Sequence, residues 1–137
     1  MLFYFSVILH IFGFTMLMGG IFVGLRAARM TSPPVELLKS IRFGYIVAGE
    51  TLVVITGIYQ MVWAGLPYYF KQGWFHGKLS VAILLLGTGM YVFKQIKNVE
   101  KSGTPLSRRM SGILHSVAGI LFLLAIVFTI LGRAGLI

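Results

Sequence analysis

Three histidines, one lysine and one glutamate occupy stretches that otherwise read as lipid-soluble: His10, His76, His115, Lys78 and Glu50 lie within or at the mouths of four long apolar runs. An ionisable side chain at the centre of a bilayer costs about 3 kcal/mol or more, so each must face the bundle interior, a partner or a bound group. Imidazole is well suited to haem iron and also binds copper. A lysine ammonium holds a carboxylate, such as a haem propionate, or donates a proton; a membrane glutamate carries protons or pairs with a histidine. The chain has no cysteine, which excludes disulfides, iron–sulfur clusters and thiolate metal sites within it. Met16, Met18, Met61 and Met90 are scattered without a repeated spacing and read as core filler, not as a copper motif.

The elements that must position these groups follow from composition. Of the 137 residues, 58% are hydrophobic and only 11% charged, and the mean hydropathy is +0.92. A soluble domain of this size could not hide that much apolar surface. A hydrocarbon core of about 30 Å needs about 20 helical residues per crossing, and the runs at roughly 2–25, 43–64, 74–95 and 109–132 each reach that length. They are continuously apolar where barrel strands would alternate. The expected fold is therefore all-α: one domain, an integral membrane antiparallel four-helix bundle with helices at about 2–25, 33–64, 74–96 and 105–132. The first run lacks a basic n-region and continues to Leu25, so it is expected to be a retained helix and not a signal peptide.

The formal charge of +9 is sorted by loop. Arg26, Arg29, Lys39 and Arg42 flank the first connection; Lys94, Lys97, Lys101, Arg108 and Arg109 flank the third. By the positive-inside rule those two connections are cytoplasmic and both termini lie outside, as in a multi-pass protein of the bacterial inner membrane. Topology and attraction to membrane lipids account for the charge without nucleic acid. Ser32-Pro33-Pro34 and Thr104-Pro105 are expected to open the second and fourth helices by a hydroxyl cap before proline. Gly65-Leu66-Pro67 ends the second, and Tyr68, Tyr69, Phe70, Trp74 and Phe75 mark the outer interface.

Spacing then assigns depth. At a rise of about 1.5 Å per residue, His10 lies roughly 12 Å below the outer surface and His76 and Lys78 within about 6 Å of it. Glu50 and His115 sit roughly 8 to 10 Å above the cytoplasmic edge. Two layers are expected, with Glu50 a partner for His115 or a proton relay. His10 and His115 differ by about 10 Å in depth, which two ligands of one iron could only just bridge. His76 and Lys78 are about 200° apart around a helix, so only one faces inward. His10, Gly13, Gly20 and Gly24 form one stripe of the first helix, and Gly112, His115, Gly119 and Phe122 one of the fourth; these small residues permit close helix approach or leave room for a macrocycle.

Leu9-His10-Ile11, the glycines that follow, Arg26, and above all Gly73-Trp74-Phe75-His76-Gly77-Lys78-Leu79 resemble the HemJ-type protoporphyrinogen oxidases and the related CopD-like membrane proteins. The resemblance spans about the first hundred residues and implies a bundle that binds haem b, with His10 and Lys78 at the positions associated with haem ligation or activity. It also implies oxidation of protoporphyrinogen IX to protoporphyrin IX, with electrons passed to the respiratory chain. The chain departs from the pattern at Arg26-Ala27-Ala28-Arg29-Met30, where a histidine-and-acid group is usual, and at Ser111-Gly112-Ile113-Leu114-His115, where an acidic-proline motif is usual.

The expectation is a membrane haem-b redox protein. His10 is the first ligand candidate, and His115 or His76 is the second. Lys78 and Glu50 are the candidate catalytic groups, and Lys78 also a cofactor contact. Its partners would be protoporphyrinogen IX or a quinone, and a second copy or a respiratory-chain protein. The alternatives are a CopD-type protein handling copper through His and Met, and a non-catalytic subunit whose polar groups fix helix contacts.

Overall fold

The computed structural model describes residues 1–137 and contains helices joined by short connections, with no strand. The elements are α1 (Leu2–Ala28), α2 (Val35–Ile41), a π-helical turn (Arg42–Val47), α3 (Ala48–Ala64), α4 (Leu66–Phe70), α5 (Gly73–Ser102) and α6 (Arg108–Arg133). α2, the π turn and α3 form one rod, Val35–Ala64, so four helices are long and apolar enough to cross a membrane. Both termini lie at one end of the bundle, here called the terminal end; the basic connections lie at the other.

Helix boundaries differ from expectation where a tertiary bond competes with a local cap. Thr104-Pro105 does not open the last helix. The Leu106 N–H is bonded to the carbonyl of Ala28 at the end of α1 (2.8 Å), and residues 103–107 stay outside the helix. Ser107 then caps α6, its hydroxyl accepting from Met110 N at 3.1 Å. The Ser32 cap is likewise unused: Pro34 is the N-cap of α2, with no side-chain bond. α5 runs on to Ser102, beyond the apolar window, and stops at Gly103 with φ +68°. Gly65, at φ +89°, ends α3 as expected, and both positions need the left-handed freedom of glycine.

Only 29 of 137 residues are buried, and they make a thin core along the helix axes. Leu17, Ile21, Leu25, Leu38, Ile46, Leu85 and Ile96 are fully enclosed, whereas Ile8, Ile55, Ile83, Ile120 and Leu123 are 59 to 63% exposed. Such apolar outer faces suit hydrocarbon, and the intrahelical backbone bonds leave nothing for lipid to satisfy. α1 packs on α3, and α5 on α6. The first contact is backbone on backbone: a Cβ at Gly49 would meet Leu17 N at 2.6 Å, and one at Gly13 would meet Leu52 Cβ at 2.7 Å. In α6, Gly112 meets nothing and Gly119 only the edge of Phe22, so the glycine stripe expected there is not a close-packing seam.

At the basic end Arg42 is not a free surface charge. Its guanidinium donates to both oxygens of Glu100 (2.7 and 3.1 Å) and lies over the rings of Phe43 and Phe93 (4.4 and 4.7 Å to the centroids). The pair ties the π turn to the basic-end extension of α5, and a bidentate geometry with stacked aromatics suits arginine specifically.

Candidate functional site

The His10 ring reaches from α1 toward α3, and its Nδ1 lies 2.8 Å from the Thr56 hydroxyl. That hydroxyl has a single proton, and it donates it to the Leu52 carbonyl one turn back (2.5 Å). Thr56 must therefore accept from His10, so Nδ1 carries the proton and Nε2 keeps its lone pair. Gly57 makes room for this pose, since a Cβ there would press on His10 Cε1 at 3.3 Å. An imidazole held through Nδ1–H, with Nε2 unprotonated, is the form that ligates a metal.

Two cavities adjoin this ring at the terminal end. One, of about 220 Å³, lies mainly against α3 and α5, with Val53, Gly57, Trp74 and Leu86 in its wall. The other, of about 300 Å³, lies between α1 and α6, with Ile11, Phe122 and Thr129. His10, Phe14, Gln60, Lys78, Ala125 and Arg133 line both. Ligand sites commonly enclose about 300 to 1,000 Å³ with few polar groups on apolar walls, and the second cavity reaches the lower end of that range. Gln60 is anchored by donating from Nε2 to the Ser6 carbonyl (3.2 Å).

The structure settles which of the 76/78 pair faces in. Lys78 is half-buried and lines both cavities, while His76 is exposed. His76 Nε2–H donates to the Phe70 carbonyl at 2.9 Å, capping the α4 turn, so it does not join His10 as a second ligand. His115 is also remote. Its Nδ1–H donates to the Ser111 carbonyl (2.9 Å), and its ring stacks on Phe22 with centroids 5.3 Å apart and planes 3° from parallel. Phe22 is three turns of α1 below His10, a separation of about 18 Å. Two axial nitrogens on one iron must lie about 4 Å apart, so His10 and His115 cannot share an iron.

Glu50 does not pair with His115. It sits against Gly89 of α5, where a Cβ would collide with Oε1, and beside Leu17; Oε1 has no hydrogen-bond partner. It lies about 10 Å along α3 from Gly57 and outside both cavities. The expected inner layer is thus two separate residues, and the outer layer reduces to His10 with Lys78. No three His, Asp or Glu side chains converge anywhere. Thr56, Gly57 and Arg133 belong to the site and were not singled out from sequence. Thr56 and Gly57 read as ordinary apolar-helix residues until α1 is docked on α3; Arg133 carried a signal, an isolated cation at the terminal end.

Two curated proteins match the chain, both named protoporphyrinogen IX oxidase. The one from Helicobacter pylori strain J99 is 32% identical over 78 residues, 56% of this chain and 51% of that protein. The one from strain 26695 is 31% identical over 78 residues, with the same shares. The chain thus spans about half the length of the curated relatives it matches. No family profile matches it, and no solved structure does. The fold and the comparison together define an all-helical, multi-pass membrane protein. The particular protein it resembles is the HemJ-type protoporphyrinogen IX oxidase, in keeping with the sequence motifs.

Proposed function

We propose that this chain is a b-type haem-binding redox protein of the bacterial inner membrane that oxidises protoporphyrinogen IX to protoporphyrin IX, with both termini on the outer side. The observation that carries the reading is the His10 imidazole. Thr56 fixes its protonated nitrogen and leaves Nε2 unprotonated, and the residue lines two apolar cavities that share Lys78 in their walls. These residues fit haem: His10 would hold the iron, Gly57 leaves the imidazole its place, and Phe14 and Leu86 exclude water. Bound haem supplies one-electron redox chemistry, which a histidine-and-cavity site of this kind tunes but does not itself provide.

The chain's own part is binding, orientation and charge. Thr56 holds the His10 tautomer, and Lys78 places an ammonium at the cavity wall, where it can hold a carboxylate or pass a proton released as the porphyrinogen loses hydrogen. The electrons go on to a lipid-soluble acceptor such as a quinone or to a respiratory-chain partner. His115, bound to Ser111 and stacked on Phe22, is left a packing role.

The test is a reduced-minus-oxidised visible spectrum of the protein purified in mild detergent, with metal analysis of the same sample. A Soret band and iron are expected in the wild type and in His115→Ala, with haem content at least tenfold lower in His10→Ala. A preparation loaded with copper and without a Soret band would overturn the reading, as would a normal spectrum from His10→Ala.

A further inference from the structure

The chain has three acidic residues, Glu36, Glu50 and Glu100, and none of them reaches the terminal-end cavities. Glu100 is bound to Arg42 in the only ion pair, Glu50 is lodged against Gly89, and Glu36 is in α2 at the basic end. Two cations nevertheless line both cavities, Lys78 from α5 and Arg133 from the last residue of α6. Two positive charges facing one low-dielectric space repel unless an anion stands between them.

Their juxtaposition is built. The Trp74 ring lies on Gly132, and Phe128 on Gly77, so closely that a Cβ at either glycine would strike the ring. Those two notches lock the start of α5 against the end of α6 in antiparallel register, with Lys78 one residue beyond the Gly77 notch and Arg133 one residue beyond the Gly132 notch. Lys78 is half-buried and Arg133 exposed, which grades positive charge from the mouth inward.

We propose that Lys78 and Arg133 form a two-point carboxylate clamp, which selects an apolar ligand carrying two acid groups on one edge over the same ligand with those groups esterified. This rests on the porphyrin reading above and deepens it by giving orientation: the acid edge stays at the terminal end, and the apolar edge enters first. Arg133 supplies the planar fork that matches a carboxylate in two hydrogen bonds, and Lys78 a point charge deeper in the wall.

The test measures quenching of tryptophan fluorescence by protoporphyrin IX and by its dimethyl ester, in nanodiscs of zwitterionic lipid. Trp74 lies in the cavity wall. Wild type should bind the diacid at least about tenfold more tightly than the diester, the worth of one charge-assisted hydrogen bond. R133Q should lose most of that ratio by weakening the diacid alone, and R133K should retain part of it. Taking the ratio between variants cancels partitioning of each probe into lipid. The wild-type comparison needs no substitution, so a misfolded variant does not protect the idea. Equal binding of diacid and diester by wild type, or an unchanged ratio in R133Q, would overturn the clamp and leave the haem reading standing. If wild type binds neither probe and shows no Soret band, both fall.

Discussion

The weight placed on His10 comes from a neighbour with no redox chemistry of its own. Thr56 accepts from Nδ1 because its proton is already committed to Leu52, and that commitment is what leaves Nε2 free. Thr56→Val keeps the side chain's shape and its β-branch but removes the acceptor. Haem affinity is expected to fall about 10- to 100-fold, the usual consequence of removing a partner that orients a metal-bound histidine. Thr56→Ser should stay within a few-fold of wild type. Titration of the apoprotein with haemin, followed at the Soret band, separates the two; equal affinity in wild type and Thr56→Val would show that Thr56 does not orient the ligand. The histidine was legible in the sequence because imidazole in an apolar helix is unusual, and Thr56 was not, because a threonine there is read as filler that bonds its own backbone. Only the docking of α1 on α3 distinguishes the two roles. The same reason hid the separation of His115 from His10. Depths counted from run ends left about 10 Å between them, but the ring contact with Phe22 fixes the register directly and widens it.

At the scale of the element, four crossing helices were readable from hydropathy alone, since a bilayer forces the backbone to satisfy itself. Their ends were not. α5 extends past its apolar window because Glu100 on the extension holds Arg42, and α6 starts late because Leu106 is bonded to the end of α1. Both causes are long-range partners. The seam between α1 and α3 is where the site's precision originates, one to two turns below His10 and Thr56. At Gly49 a Cβ would meet backbone atoms of Leu17 and Gly13 within 3.0 Å, and backbone cannot yield as a flexible side chain does. Gly49→Ala should destabilise the bundle by about 1 to 3 kcal/mol, as overpacking does, and lower haem retention with it. Gly112→Ala has open space around its Cβ and replaces glycine by a better helix former, so it should be neutral or slightly stabilising. Thermal unfolding in one detergent compares them, and equal midpoints would mean the α1–α3 contact is looser than the structure has it.

For the molecule as a whole, charge and chemistry are segregated to opposite ends. The end opposite the termini carries the first and third connections, with Arg26, Arg29, Lys39, Lys94, Lys97, Lys101, Arg108 and Arg109, while the terminal end has Lys71, Lys78 and Arg133. Arg42 is neutralised by Glu100, yet acids count little in orientation, and the remaining excess is large enough to dominate by the positive-inside rule. The two cations at the terminal end that face the cavities are therefore held on the side where the rule disfavours them, as expected if they serve a ligand and not topology. Both termini should accordingly lie outside. A fusion of alkaline phosphatase after Ile137 should be active in a bacterial host and a fusion of a cytoplasm-dependent fluorescent protein at the same point dark, with the opposite pattern after Gly103. Reversal of that pattern would put His10, Lys78 and Arg133 at the cytoplasmic face. Porphyrinogen would then reach the cavities from the cell interior, and the carboxylate clamp would open inward, so the reporter result decides the side from which the substrate enters.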